Sequence, residues 1–152
     1  MNTSHIIAFA ACLKATYRDM LNIEMQQGSI SEQIDFPVRA DVSACVMITG
    51  ASPACVVLAF DELSAVDATN RFTQTQNRFE DSLVGDTARE ILNIVVGSAQ
   101  RDVADRFSFS LPVSVQGRNH EIGVFRKGRN ILLPLTWLES FNVRLFLNLP
   151  AV

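Results

Sequence analysis

Glu90 and Asn93 have the residue types and spacing in this chain that lend themselves to chemistry. Wound at about 100° per residue, the stretch Leu83 to Gln100 and the residues just after it separate into two faces. Val84, Ala88, Ile91, Leu92, Val95, Ala99 and Val103 gather in a broad apolar stripe that requires a core. Asp86, Glu90, Asn93, Gly97, Gln100 and Arg101 gather opposite. This polar side is unusual for a solvated face, because Asn is a mediocre helix former and a mid-helix Gly costs about 1 kcal/mol relative to Ala. Glu90 and Asn93, at i and i+3, are surface neighbours roughly 5–6 Å apart at Cβ. Gly97, one turn on, removes the side chain that would hold another backbone away. A carboxylate, an amide and a bare spot form a docking and chemical surface. Plainer readings stay open on residue type alone. Glu90 can be a solvated acid near Arg101, Asn93 can pack locally, and Gly97 can let the first helix cross closely.

The same stretch resembles the E-x-x-N helix of the CheC/CheX/FliY family of chemotaxis phosphatases. The matching residues are Glu90-Ile91-Leu92-Asn93-Ile94-Val95-Val96-Gly97, followed by Leu111-Pro112-Val113 and Gly117. An E-x-x-N pair alone is a weak signal; its continuation into an apolar triplet, Gly and a Leu-Pro strand is more specific. The resemblance runs over nearly the whole chain in element order, and the single-site CheX type fits best.

The resemblance implies a phosphatase acting on the aspartyl phosphate of a phosphorylated CheY-type response regulator. It assigns Asn93 to orienting the attacking water and Glu90 to a salt bridge with the regulator's Lys. Asp86, Ile94, Gly97 and Arg101 then belong to the partner-binding surface, with Gly97 letting two backbones approach. No cofactor is expected in this chain, since Mg²⁺ would sit on the regulator. Positioning is a large share of phosphoryl-transfer catalysis, and a neutral amide can both donate and accept beside an anionic phosphoryl group. Relatives of the CheX type form homodimers, and a Pro-bearing edge strand offers a surface to consider for that. The alternative is a non-catalytic binding or adaptor module that keeps the fold and holds a regulator or another signalling protein.

The remaining elements must position this helix. Thr3 or Ser4 is a candidate cap for a first helix carrying Ile6, Phe9, Ala10, Leu13, Tyr17, Met20 and Leu21, with Gly28 as its stop. Ile34, Phe36 and Val38 read as an edge strand interrupted by Pro37. Strands follow over Ala44 to Thr49 and Ala54 to Phe60, the latter apolar enough for both faces to be covered. Asp61 opens a short helix through Phe72, and the long helix runs to about Arg106. Phe107, Phe109, Leu111, Val113 and Val115 alternate with polar residues and Pro112 in an outward register. Gly117-Arg118-Asn119 reads as a turn into Glu121 to Arg126, and His120-Glu121 as an exposed polar turn. Ile131 to Trp137 and Phe141 to Leu149 complete the strands. The order predicts one α+β domain over 1–152, with two long helices on a mostly antiparallel sheet.

Arg18-Asp19-Met20-Leu21-Asn22-Ile23 echoes Arg89 to Ile94. Asp shortens the acid and Gln26 fills the position of Gly97, so this copy is expected to be inactive. Arg118, Arg126, Lys127 and Arg129 form a local basic patch, either a solvated hairpin tip or a surface for an acidic regulator.

Composition limits the rest. The 152 residues are 48% apolar and 19% charged with a net charge of −3, ordinary for a compact chain and unlike a nucleic-acid binder. His5 and His120 are too few and too scattered for a metal cluster. Cys12, Cys45 and Cys55 lack C-x-x-C spacing and an activating His, which leaves reduced, mostly buried thiols and a cytoplasmic setting. No run reaches the roughly 18 apolar residues of a membrane span.

Overall fold

The computed structural model describes residues 1–34, 37–103, 107–123, 125 and 127–151, with Ile34 described by its backbone only. Asn2 starts the first helix, α1 (Thr3–Thr16). Its side chain accepts from Ser4 N at 3.0 Å, while His5 Nδ1 accepts from Asn2 N at 3.2 Å. The cap is therefore Asn2 rather than Thr3 or Ser4, because His5 stands where a capping box needs its reciprocal acceptor. The helix passes into one π-helical turn, Tyr17–Leu21, and Asn22 ends it in the left-handed region at φ 56°. That stop comes well before Gly28. Gly28 instead lies against the sheet, its N–H donating to Pro134 O at 2.8 Å. Met20, expected on the apolar face, is exposed because the wider turn rotates it outward.

The strands are β1 (Gln26–Gln27), β2 (Ser31–Ile34), β3 (Val38–Thr49), β4 (Ala54–Phe60), β5 (Ser108–Phe109), β6 (Val113–Ile122), β7 (Arg129–Trp137) and β8 (Phe141–Leu149). Every pairing between them is antiparallel. The sheet runs β1-β7-β8-β4-β3-β5, with β2 also on β7 and β6 also on β3. Two helices follow α1: α2 (Glu62–Thr73) and α3 (Ser82–Asp102). The architecture is the expected α+β class, two long helices on an antiparallel sheet, with α2 as a third.

Three expectations about the strands change. Val38 to Thr49 is one strand of 12 residues, beginning directly after Pro37. The predicted turn at Gly117-Arg118-Asn119 is a bulge inside β6, where the register moves from Val42↔Gln116 to Ala40↔His120. Asp41 bridges the bulge and the start of α2: its Oδ1 accepts from Asn119 N at 2.8 Å and its Oδ2 from Glu62 N at 2.9 Å. His120 is accordingly a strand residue, held between Gly117 O and Ser43 Oγ. The alternation of β6 is also inverted. Ser114 and Gln116 face α3, whereas Val113 and Val115 lie on the opposite, helix-free face. Expected elements at Asp35, Phe36, Arg106, Val124 and Arg126 lie outside the described residues.

The main core fills the space between helices and sheet. It joins Ile6, Phe9 and Leu13 of α1, Ile91, Leu92 and Val95 of α3, and Val46, Leu58 and Leu145 of the sheet, all at most 1% exposed. Full burial of such side chains contributes roughly 1.5–3 kcal/mol each. Trp137 anchors the other end, edge-on to Tyr17 at 5.0 Å and donating Nε1–H to Asp67 Oδ2 at 2.7 Å. A second cluster lies on the other sheet face around Cys55, Val57 and Phe146, so β4 is covered on both sides as its sequence requires. Among the described residues no helix is long and apolar enough to cross a membrane.

Candidate functional site

Helix α3 has 21 residues. Its apolar stripe meets the sheet and α1: Val84, Ala88, Ile91, Leu92, Val95, Val96 and Ala99 are all buried. The opposite face carries the candidate residues. Asp86, Glu90 and Arg101 are exposed, and Asn93, Ile94 and Gly97 are half-buried at its shoulder.

The start of the helix is held from outside. Its N-cap residue Asp81 makes no side-chain cap bond to it. Gln116 of β6 takes that place, accepting from Gly85 N at 3.0 Å and donating to Asp81 O at 2.9 Å and to Phe79 O. A Cβ at Gly85 would stand 3.0 Å from Gln116 Oε1 and 3.1 Å from Ser114 Oγ, so any larger residue here must push those side chains back. Arg118 braces the same end. It binds Glu62 through two contacts at 2.8 and 2.9 Å, reaches Glu80 at 3.2 Å, and lies 4.6 Å over the Phe79 ring. These hydrogen bonds hold the Glu62 carboxyl below its usual range and raise the guanidinium further. Sequence reading missed both residues, since Gln116 looked like an outward residue and Arg118 like part of a turn. Arg118 is thus committed within the chain, as is Arg129, paired with Glu32 at 2.9 Å, so two of the four residues of the basic patch are paired from inside, while Arg126 lies outside the described residues.

Within the candidate face the partners divide cleanly. Asp86 is paired with Arg89 at 2.7 Å, and Arg101 donates to Ser98 Oγ at 3.2 Å. Arg101 is therefore not the partner of Glu90. Among the described residues, no side-chain hydrogen bond or ion pair occupies Glu90 or Asn93. A carboxylate and an amide one turn apart stand ready to bind something else. Gly97 is not needed for helix crossing: the nearest atom to an added Cβ is Phe109 Cζ at 3.9 Å, and no atom of α1 is within range. The bare spot is available rather than filled.

The echo of this motif does not repeat its geometry. Asn93 sits mid-helix, but Asn22 has left its helix at φ 56°, ψ 44°, so Asp19 and Asn22 share no helical face. Asp19 is instead paired with Arg18 at 3.4 Å.

Residues 42–136, which include the whole of α3, match the family model described as chemotaxis phosphatase CheX. No curated protein sequence matches the chain. Among solved structures, a CheC-like superfamily protein from Shewanella sp. PV-4 is similar at 23% identity and TM-score 0.87, over 99% of this chain and 100% of that one. The chemotaxis protein CheX from Vibrio vulnificus is similar at 25% identity and TM-score 0.85, over 96% and 99%. The CheX-CheY-BeF3-Mg²⁺ complex from Borrelia burgdorferi contains a similar chain at 17% identity and TM-score 0.74, over 97% and 98%. A family model covering most of the chain, on a fold shared end to end with these structures, shows that the chain belongs to the CheX family of chemotaxis phosphatases.

Proposed function

We propose that this protein hydrolyses the aspartyl phosphate of a CheY-type response regulator by inserting α3 into the regulator's active site. The observation carrying this reading is the Glu90–Asn93 pair without a side-chain partner among the described residues, exposed at Glu90 and half-buried at Asn93, beside a Gly97 with room above it. Asn93 orients a water in line with the phosphorus, and Glu90 pairs with the regulator's Lys. Mg²⁺ belongs to the regulator. An acyl phosphate is already prone to hydrolysis, so placing the water is the main requirement. Asp86, Ile94, Gly97 and Arg101 form the rest of the contact surface.

A homodimer is part of the same proposal. Strand β6 pairs on one side only among the described residues; Val113 and Val115 on it are 59% and 42% exposed, and Leu111 just before it 87%. An open edge with apolar side chains favours strand addition. Sedimentation equilibrium of the wild type against Val113→Lys tests it; a wild-type monomer at micromolar concentration would rule the dimer out.

The activity test is phosphate loss from CheY-type regulators loaded with acetyl phosphate and Mg²⁺. Asn93→Ala should lose about 10²-fold or more of the catalysed rate, the scale of misplacing a reacting atom. Its binding to a beryllofluoride-loaded regulator should survive, since a neutral amide adds little net affinity. Glu90→Ala should lower both rate and binding, with Glu90→Gln separating charge from size. Asn22→Ala should leave turnover unchanged. Tight binding with no turnover by the wild type would favour the adaptor reading, and full activity in Asn93→Ala would end the mechanism.

A further inference from the structure

Strand β4 leaves the sheet before its neighbours do. Its last residue, Phe60, is opposite Val42 on β3 and Val143 on β8. Beyond that level β3 continues through Asp41 to Val38, and β8 through Asn142 to Phe141. The chain turns away at Asp61 to start α2, so a cleft stands where β4 would have run on. It has a volume of about 300 Å³ and is lined by Arg39, Asp41, Asp61, Asn119, Asn142 and Arg144 around Phe60. No residue of α3 lines it.

The two carboxylates in the cleft are fixed in place. Asp41 accepts from Asn119 N at 2.8 Å and Glu62 N at 2.9 Å. Asp61 accepts from Ser64 N at 2.8 Å and from Asn142 Nδ2 at 2.7 Å. An ionised carboxylate offers about four lone-pair sites, so both keep acceptor capacity. Arg144 differs from them. Its Nη2 donates to Arg39 O, but among the described residues no carboxylate lies within ion-pair distance of it. Arg39, by contrast, is paired with Glu121 at 2.7 Å. A guanidinium has five donors, and most of those on Arg144 are open. Burial lowers its pKa, while the Asp61 and Asp41 charges act the other way.

We propose that this cleft binds a small zwitterion of the free α-amino acid class. The ligand carboxylate takes the Arg144 fork, whose planar donors match a carboxylate in bidentate fashion. The ligand ammonium takes the remaining acceptor sites of Asp41 and Asp61. Neither charge alone suits the cleft. A simple anion would face two carboxylates and a simple amine would face the guanidinium, and like charges set together select against both. The volume is at the low end of the roughly 300–1,000 Å³ of pockets for drug-sized ligands, in keeping with a ligand of few heavy atoms. Exposed Arg39, Asp61 and Asn119 open the cleft to solvent, so the side chain of the amino acid has room to leave it. Because the cleft lies off α3, this assignment stands independently of the phosphatase reading.

The test is calorimetric titration of the full chain with each common L-amino acid in turn, with acetate and methylammonium as the two half-ligands. At least one amino acid should bind one to one with a Kd below about 1 mM. Both half-ligands should bind at least about ten-fold more weakly, as each forms only one of the two charge contacts. Arg144→Gln should weaken the tightest amino acid by about ten-fold or more. Arg144→Lys should fall between, keeping the charge but losing the fork. In the wild type, amide NMR shift changes on binding should concentrate at Ala40, Asp41, Asp61 and Asn142, a readout that needs no variant to fold. Four results would each overturn the assignment: no amino acid bound at that level, acetate bound as tightly, shift changes centred on α3, or unchanged affinity in an Arg144→Gln chain that circular dichroism shows to be folded.

Discussion

Gln116 holds Gly85: its carboxamide oxygen accepts the Gly85 N–H at 3.0 Å, while its nitrogen ties Asp81 and Phe79 to the same strand. One side chain on β6 thereby fixes the end of the helix that carries Glu90 and Asn93 one to two turns later. Gln116→Ala leaves one donor and two acceptors short of partners in a part-buried setting, for a loss of about 1–3 kcal/mol. Urea unfolding measures it, and an unchanged midpoint would show that water replaces the amide.

Gly97 separates stability from docking. An added methyl would make ordinary contact with Phe109 at 3.9 Å, and alanine is the better helix former by about 1 kcal/mol. Gly97→Ala should therefore raise the melting temperature while lowering dephosphorylation of the regulator. A variant that is both more stable and equally active would show that no backbone approaches this spot.

Ile94 tests the contact surface. It is half-buried beside exposed Glu90, and at the centre of an interface such a side chain is worth about 1–3 kcal/mol. Ile94→Ser should weaken calorimetric binding of a beryllofluoride-loaded regulator by about ten-fold or more with little change in melting temperature. A large drop in melting temperature instead would assign Ile94 to the core.

Tyr17 carries a buried hydroxyl for which no partner is present among the described residues. Burial, and secondarily the Asp67 charge, raise its pKa. A raised acid is held neutral by the fold. Its contribution is complete below the unfolded value of about 10 and declines as pH rises beyond that toward the folded value. Tyr17→Phe should gain about 1 kcal/mol at neutral pH by removing the orphaned group, and should flatten the alkaline fall in a pH series of denaturant melts.

The two faces of α3 were legible because its 21 residues sample the helical period repeatedly: Val84, Ala88, Ile91, Leu92, Val95 and Ala99 of the apolar stripe are buried, while Val103 lies past the helix end and only half-buried, and Gly85, Thr87 and Val96 join the buried side. The orientation of β6 was not legible. Period-two alternation says that Val113 and Val115 oppose Ser114 and Gln116, but not which set meets the helices. Here the polar set does, because the start of α3 needs hydrogen bonds more than apolar contact. The end of the first helix was misread for a related reason. Asn22 supplies the left-handed residue that Gly28 was expected to supply, and nothing local ranks one above the other. Glu90 and Asn93 were found as a pair, whereas Gln116 and Arg118 act through contacts more than 30 positions away in sequence and leave no local pattern.

Strand β8, last of the strands in chain order, sits between β7 and β4 in the middle of the sheet. During synthesis the earlier strands can pair only as two separate halves, β3 with β4 and β6 on one side and β2 with β7 on the other. Each half waits with an unpaired edge until residues 141–149 arrive and join them. Such late, long-range closure slows folding and exposes intermediates to aggregation. Chaperone dependence and yield on expression should therefore respond more sharply to substitutions in β8 than to equally buried ones in α1.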